Sequence, residues 1–251
     1  LGVPMEDRAM LRECTDEALK RYPDSLDIPP EALAASMKQI DYMTRLVAER
    51  RKRPGEDLIS DLINAEVERE DGSRTRLTEP EIIGFANLLT GGGNETVTKA
   101  LGNVIVLLAR HPDSRRALVE NPSLIQGAVD EANRYWPPSQ YQGRSLTCEV
   151  ELYGETVPAG ARMLLLTGSA CRDEREYDNA DTFDIHRHVP LSLAFGHGAH
   201  KCLGTGLAAL EGRVCLEEIL ARIPDYQLNE QGIEYVHMTN VMGFASVPIS
   251  Y

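Results

Sequence analysis

The sequence is short of positive charge and of long apolar runs, and each shortage excludes a class of protein. Its 251 residues carry 26 basic and 39 acidic side chains, which gives a formal net charge of −13. Such a balance opposes nucleic-acid binding, which depends on a positive surface that releases counterions. No apolar run is long enough to cross a bilayer, and the first residues do not resemble a signal peptide. We therefore expect neither a nucleic-acid partner nor a membrane partner.

Paired cysteines are also missing. The chain has five cysteines, an odd number, and no two of them form a Cys-x-x-Cys pair. This usage disfavours a disulfide framework and is typical of a protein in the reducing cytoplasm. Four of them, Cys14, Cys148, Cys171 and Cys215, are interpreted as ordinary thiols, and Cys202 stands apart because of its surroundings.

Apolar residues at helical spacing dominate residues 1–143, whereas short strands and turns dominate residues 144–251. The predicted helices cover residues 5–22, 30–53, 57–68, 79–110, 113–121 and 123–135, and a last helix follows Cys202. Predicted strands lie at 150–152 and 162–166 and in the tail after Tyr226. We expect a single domain over residues 1–251 that is mainly α with a minor β portion.

Cys202 lies where a glycine-rich loop leads into the last helix. Residues 195–204 read Phe-Gly-His-Gly-Ala-His-Lys-Cys-Leu-Gly. The positive end of a helix dipole stabilises a thiolate, and glycines let the backbone pass close to a flat ligand. These features indicate a thiolate that binds a metal.

Two alternatives for this cysteine stay open on the residues alone. One is an ordinary buried cysteine at the start of a helix. The other is a zinc site made by His197, His200 and Cys202, with His186 or His188 as a further ligand. A structural zinc site normally takes a second pair of closely spaced ligands, and that pair is missing here.

The loop resembles the haem-binding loop of the cytochrome P-450 family, Phe-x-x-Gly-x-x-x-Cys-x-Gly with a basic residue two positions before the cysteine. The matching residues are Phe195, Gly198, His200, Cys202 and Gly204. The resemblance implies haem b (iron protoporphyrin IX), with Cys202 as the axial iron ligand and His200 bonded to a haem propionate. The residues that it places at the cofactor are Cys202, His200, Arg144, Phe195, Gly196, Gly93 and Gly204.

A second resemblance lies in the long helix. The segment Gly92-Gly93-Asn94-Glu95-Thr96 is similar to the family's Ala/Gly-Gly-x-Asp/Glu-Thr. The glycines leave room for a ligand beside the helix backbone, and a hydroxyl and a carboxyl follow that can supply protons. The resemblance implies that Thr96 stabilises oxygen at the iron and that Glu95 relays protons. Otherwise Thr96 bonds back to a helix carbonyl and Glu95 is a solvated side chain.

Three arginines complete the resemblance. Glu131 and Arg134 are three residues apart on a helix, so their side chains share a face. In the family this Glu-x-x-Arg pair is buried with a further arginine, here Arg187, and it has a structural role. Arg144 resembles an arginine that meets a haem propionate, since its planar fork suits a carboxylate, but an exposed arginine at a strand start is the alternative.

The order of these motifs resembles the family along the whole chain, so we expect the cytochrome P-450 fold lacking its N-terminal part. The implied activity is that of a haem-thiolate monooxygenase, which inserts one oxygen atom from dioxygen into an apolar small molecule. Electrons are expected from NAD(P)H through ferredoxin reductase and ferredoxin. The substrate is expected against Leu89, Gly92, Ser139, Gln140, Val241 and Met242. The alternative function is a truncated, non-catalytic module for haem binding or protein interaction.

Overall fold

A computed structural model of the protein describes residues 1–25, 27–189 and 192–251. Contacts group the chain into two compact units, Leu1–Glu95 and Thr96–Tyr251. The expected mainly helical architecture with small sheets is confirmed, whereas the single domain over residues 1–251 stays a prediction. The helices are α1 (Arg8–Leu19), α2 (Pro30–Lys52), α3 (Leu58–Asn64), α4 (Glu79–Arg110), α5 (Pro112–Glu120), α6 (Ile125–Tyr135), α7 (Thr167–Ala170) and α8 (Thr205–Arg222).

The strands are short and pair two by two in antiparallel fashion. Their bounds are β1 (Glu66–Glu68), β2 (Arg74–Arg76), β3 (Gln142–Ser145), β4 (Val150–Leu152), β5 (Glu155–Val157), β6 (Arg162–Leu165), β7 (Gln227–Leu228), β8 (Glu234–Tyr235), β9 (Phe244–Ser246) and β10 (Ile249–Ser250). The pairs are β1–β2, β3–β6, β4–β5, β7–β10 and β8–β9. Among the described residues no sheet has more than two strands, so helix packing makes the core.

In the first unit, α1 packs on α2. The core of this unit consists of Leu11, Met43, Leu46, Val47, Ile59, Ile63, Ile82 and Ala86. The apolar residues of α2 are only partly buried. Met43 and Val47 are buried, but Leu33, Met37 and Ile40 are exposed. The first half of α2 buries Gln39 instead, whose amide oxygen accepts a hydrogen bond from the Thr15 hydroxyl at 3.3 Å.

The predicted helix over residues 57–68 is wrong in its second half. The helix α3 begins after Asp57, whose carboxylate caps it by accepting from the Ser60 N–H at 2.9 Å, and it ends at Asn64. Residues 66–68 then form β1, which pairs with β2. A tight turn closes this hairpin, with Gly72 at φ +78° and the Asp71 carboxylate accepting from the Ser73 N–H. Local turn chemistry therefore overrides the helical spacing.

The predicted long helix over residues 79–110 is confirmed as α4. Its start is a capping arrangement in which the Glu81 carboxylate accepts from the Thr78 N–H at 2.7 Å and the Thr78 hydroxyl at 2.8 Å. Hydrogen bonds from Arg69 and Thr78 lower the pKa of Glu81 to about 2. The helix continues through the three glycines at 91–93 without a break.

In the second unit, α5, α6 and α8 surround the larger core. Its members are Val104, Leu107, Leu108, Leu118, Ile125, Ala128, Val129, Ala132, Phe183, Ile185, Leu216 and Leu220. The helix α6 lies against α8, and a Cβ on Gly212 of α8 would come within 2.7 Å of Val129. Only glycine fits at this point, because the two helices approach closely. This contact supports α8, the helix that follows Cys202.

Candidate functional site

The loop before α8 closes on itself through its backbone. The Cys202 N–H donates to the Phe195 carbonyl at 2.8 Å, and two short 3₁₀ turns, Leu193–Phe195 and Gly198–His200, lie before and within the closed segment. Gly196 and Gly198 have φ values of +71° and +73°, a left-handed conformation that favours glycine. The two glycines therefore set the path of the loop.

The side chain of Cys202 is exposed, and its thiol is free. The helix α8 begins three residues later at Thr205, whose hydroxyl donates to the Cys202 carbonyl at 2.8 Å. A Cβ on Gly204 would lie 3.8 Å from the Cys202 sulfur, which is ordinary contact distance. The sulfur therefore lies close to the start of a helix and is open to a ligand from outside the chain.

Two exposed cationic or polar donors accompany the cysteine in the same unit. Arg144 lies on β3 opposite Met163 of β6, and its guanidinium donates to the neighbouring Gly143 carbonyl at 2.8 Å. In the described part of the chain Arg144 has no carboxylate partner. The side chains of Arg144 and His200 are both exposed. Both side chains can donate hydrogen bonds to carboxylate groups of a bound molecule.

An exposed soft sulfur with nearby backbone glycines and separate carboxylate-binding donors fits a haem better than a metal ion alone. A structural zinc ion would need several ligands at one point. Among the residues that the structure describes, no group of three or more His, Cys, Asp or Glu side chains could hold a metal. The zinc set of His186 or His188 with His197, His200 and Cys202 is therefore not brought together.

The structure does bring together Glu131, Arg134 and Arg187. Arg134 makes a two-pronged ion pair with Glu131, at 2.7 Å and 2.8 Å, and both side chains are fully buried. Arg187 reaches the same carboxylate at 3.3 Å, and the Asp184 N–H donates to it at 2.9 Å. The carboxylate of Glu131 therefore has several donors, as a buried charge requires.

The two arginines also bind the irregular segment that leads towards the cysteine loop. Arg134 donates to the carbonyls of Cys171 and Ala180, at 2.9 Å each, and Arg187 donates to the backbone carbonyl of Asp178 at 2.7 Å. Burial disfavours the charged form of Arg134, but the bonds and charge of Glu131 outweigh it and raise the pKa of the guanidinium. The network thus fastens a segment that has few regular backbone hydrogen bonds.

On α4, the surface at the glycines is open. Gly92 and Gly93 are exposed, and a Cβ on either would meet no atom within 4 Å. Glu95 is buried, with 4% of its surface exposed, and Thr96 and Leu89 are half-buried. The buried carboxyl of Glu95 differs from the solvated side chain that the alternative required.

Four of the six predicted substrate residues lie side by side. Ser139 forms an antiparallel bridge with Val241, and the Gln140 N–H donates to the Asn240 carbonyl at 2.9 Å. The Met242 N–H donates to the carbonyl of residue 138 at 2.7 Å. The segments 138–140 and 240–242, about a hundred residues apart in sequence, therefore lie side by side. We call this pair of segments the 139/241 strip. Leu89 and Gly92 belong to the other compact unit.

Sequence reasoning missed the short helix that supports this strip. The helix α7 begins at Thr167, whose hydroxyl donates to the Ser139 carbonyl at 2.8 Å. The Gly168 N–H donates to the Gln140 carbonyl at 2.9 Å, and a Cβ on Gly168 would come within 2.4 Å of the Gln140 amide oxygen. A four-residue helix containing glycine and serine has no periodic signal, so only the glycine hinted at a close contact.

No helix in the described parts of the chain has the length and apolar character needed to span a membrane.

The cytochrome P450 family model matches residues 18–231. A relative from Mycobacterium tuberculosis (strain ATCC 25618 / H37Rv), "Putative cytochrome P450 123", is 41% identical over 251 residues, which are 100% of this chain and 61% of the relative. "Cytochrome P450 monooxygenase PikC" from Streptomyces venezuelae is 37% identical over 100% of this chain and 59% of its own length.

Solved structures give the same result. P450BioI, in complex with an acyl carrier protein that carries hexadec-9Z-enoic acid, superposes with a TM-score of 0.89 at 31% identity, over 100% of this chain and 64% of that one. CYP109E1 from Bacillus megaterium, in complex with corticosterone, has a TM-score of 0.85 at 32% identity, over 99% and 66%. The chain spans about three fifths of the length of the curated relatives it matches. With the cysteine loop, the buried Glu-x-x-Arg pair and the glycine-bearing α4 in the family order, the chain belongs to the cytochrome P450 family.

Proposed function

We propose that the chain is the part of a haem-thiolate monooxygenase that supplies the iron ligand and the residues that deliver protons to dioxygen. The exposed thiol of Cys202, held in a closed glycine loop just before α8, is the observation that carries this proposal. When bound, haem with a thiolate ligand supplies the capacity to split dioxygen. The group that fits is haem b.

The residues around the loop have separate tasks in this proposal. Cys202 would hold the cofactor by its sulfur. Phe195 is kept close by through the hydrogen bond from the Cys202 N–H to the Phe195 carbonyl. His200 and Arg144 bind the two propionates by hydrogen bonds from their exposed donors. Gly196 and Gly204 would leave room for a flat ring beside the loop backbone.

Two residues of α4 handle protons. The Thr96 hydroxyl would donate a proton to the reacting oxygen, and Glu95 would restore it by passing on a proton from water. Burial separates Glu95 from the solvated carboxylates of the protein surface. Gly92 leaves room for the substrate beside Thr96.

The substrate of this proposal is an apolar small molecule against the 139/241 strip. Corticosterone and a hexadecenoic acyl chain, the molecules that accompany the two neighbouring structures, are both largely apolar. Electrons reach the cofactor from NAD(P)H through ferredoxin reductase and ferredoxin, and the enzyme acts in the cytoplasm. Exposed Lys201, beside the cysteine, can contact an acidic ferredoxin.

The absorption spectrum of the haem-loaded, reduced and CO-treated chain tests the ligand. We expect the red-shifted Soret band of thiolate ligation, its loss in Cys202→Ser, and its retention in Cys148→Ser, where the other exposed cysteine is removed. Absence of any haem band would overturn the enzyme proposal and favour the non-catalytic module. A band that survives in Cys202→Ser would refute the ligand assignment.

Proton delivery is tested separately with Thr96→Ala. This variant should keep the Soret band but divert reducing equivalents from product to hydrogen peroxide, because the hydroxyl donor is lost. The matched control is Thr98→Ala, which removes a hydroxyl two residues away on the same helix and should leave the ratio of product to NAD(P)H unchanged. Full coupling in Thr96→Ala would rule out the role of Thr96.

A further inference from the structure

The two faces of the 139/241 strip differ in what lies against them. Successive residues of an extended segment point to opposite faces. Met242 lies on one face, where its sulfur accepts a hydrogen bond from the indole N–H of Trp136 at 3.2 Å. Ser139 and Val241 are directly opposite each other in the antiparallel bridge, so their side chains share the other face. This second face therefore carries one hydroxyl beside one apolar side chain, and both residues are half-buried.

The hydroxyl oxygen of Ser139 is already used as an acceptor. The side-chain amide of Gln142 donates to it at 2.6 Å, and the side-chain amide of Asn240 donates to it at 3.4 Å. A serine hydroxyl has two acceptor lone pairs and one hydrogen to donate. In the residues that the structure describes, no hydrogen bond has the Ser139 hydroxyl as its donor. The two amides take its acceptor capacity, and its hydrogen stays available to a bound molecule.

The surrounding contacts hold this hydroxyl in place. The Ser139 carbonyl accepts from the Thr167 hydroxyl at 2.8 Å, and the residues on either side of Ser139 bond across the strip. The amide of Asn240 also donates to the Tyr141 carbonyl at 3.2 Å, which fixes its direction. A donor whose neighbours fix it in advance discriminates between ligands by the position of a single acceptor atom.

We propose that Ser139 is a specificity-determining donor that selects apolar molecules with one carbonyl oxygen, such as a ketone or an ester. The inference rests on the proposed function, because that function places the substrate at the strip. The carbonyl oxygen accepts the Ser139 hydrogen, and the apolar remainder packs against Val241. Gln142 is a positioning residue, because its amide donates to the hydroxyl and so directs the hydroxyl hydrogen towards the ligand.

A carboxylate fits this site less well than a neutral carbonyl. In the described part of the chain, the side chains that bond to Ser139 are two amides and a hydroxyl, and none of them carries a positive charge. An ionised ligand is bound best by charged donors, such as those of arginine or lysine. The site therefore favours a neutral acceptor.

Equilibrium dialysis with a matched pair of probes tests the inference. The probes are trans-β-decalone and trans-decalin, which differ only at the carbonyl, and the Kd of each is measured on the full chain without added haem. Ser139→Ala removes the donor and should raise the Kd of the decalone about three- to tenfold, the usual effect of one hydrogen bond. The Kd of decalin should not change. Ser139→Thr keeps a hydroxyl and should retain the affinity for the decalone.

Two further variants separate donation from packing. Gln142→Glu replaces the donating amide by a carboxylate of similar shape, which accepts the Ser139 hydrogen. The Kd of the decalone should therefore rise as in Ser139→Ala, although the serine is intact. The control is Ser145→Ala, which removes an exposed hydroxyl from the same strand, β3, and should change neither Kd. Thermal unfolding midpoints verify that each variant is folded, and if Gln142→Glu unfolds, Ser139→Ala and Ser139→Thr decide the question.

Several results would overturn the inference. These are an unchanged Kd of the decalone in Ser139→Ala, an equal loss of affinity for both probes, and no binding of the decalone to the unaltered chain. Tighter binding of decalin carboxylate than of the decalone would also contradict it, and normal binding of the decalone to folded Gln142→Glu would refute the role of Gln142. Because no iron takes part, these outcomes are independent of the Soret band that tests Cys202, so failure of this inference is distinguishable from failure of the proposed function.

Discussion

The Glu131–Arg134–Arg187 network and the Cys202 loop belong to the same compact unit, but they differ in what surrounds their polar groups. The carboxylate of Glu131 accepts from two arginines and a backbone N–H and is shielded from water. The sulfur of Cys202 is exposed and free. The chain thus supplies the partners of its buried ion pair and leaves its exposed thiol open to a ligand. Disruption of the network should cost stability, whereas changes at the thiol should cost ligand binding.

The largest effect is expected from Arg134→Met. Removing one partner leaves the carboxylate of Glu131 buried with only weaker donors, and such a loss typically costs about 3–5 kcal/mol. The free energy of unfolding from urea denaturation measures it. The control is Arg222→Met, which breaks an exposed ion pair with Glu218 and should cost under about 0.5 kcal/mol. Equal effects in the two variants would contradict the contrast between buried and exposed charge.

A smaller loss is expected from Arg187→Met. Arg187 is 12% exposed and makes a longer bond to Glu131, while Arg134 stays in place to neutralise the carboxylate. We expect a loss of about 1.5–3 kcal/mol, the usual worth of hydrogen bonds to a charged group. Urea denaturation of the single variants and of the double variant Arg134→Met/Arg187→Met should show less than additive losses, because both arginines bind one carboxylate. Strict additivity would mean that the two act independently.

The helix α6, which carries Glu131 and Arg134, contacts α8, which follows Cys202. Two glycines of α8 test how closely these helices pack. Gly212→Val should cost about 1–3 kcal/mol, because its Cβ would lie 2.7 Å from Val129. Gly206→Ala, in the same helix with no atom near its Cβ, should instead stabilise by about 0.5–1 kcal/mol. Thermal unfolding of both variants checks these signs. A destabilising Gly206→Ala would indicate that the start of α8 is not helical.

The smallest effect concerns the rates at which the cysteines react with a thiol reagent. Cys148 and Cys202 are exposed and should be labelled first, whereas Cys14 and Cys171 are buried and should be protected. Burial also raises the pKa of the Cys171 thiol, which lowers its fraction of reactive thiolate. Mass spectrometry of the labelled peptides reads out the order. In Arg134→Met the labelling of Cys171 should speed up, because Arg134 no longer holds the Cys171 carbonyl; an unchanged rate would show that the segment is held elsewhere.

The sequence was sufficient to predict features that depend on neighbouring residues. The start of α4 at Thr78 and Glu81, and the pairing of Glu131 with Arg134, follow from fixed short spacings on a helix. The hairpin around Gly72 was not predicted, because β1 lay within a predicted helix and no pattern indicated β2.

Features that depend on distant residues could not be predicted in the same way. Ser139 and Val241 were both expected near the substrate, yet no pattern in the sequence indicates that they pair. The last helix was predicted from its periodicity, but periodicity does not say that Leu207 and Val214 are exposed while Leu216 is buried. Burial is decided by the neighbours that the fold supplies, so it is visible only in the structure.

The measurement that tests the central claim most directly is iron X-ray absorption on the haem-loaded chain. We predict a sulfur atom in the first coordination shell of the iron, present in the unaltered chain and in Cys148→Ser and absent in Cys202→Ser. A first shell made of nitrogen and oxygen alone in the unaltered chain, or a sulfur that persists in Cys202→Ser, would contradict the assignment of Cys202 as the iron ligand.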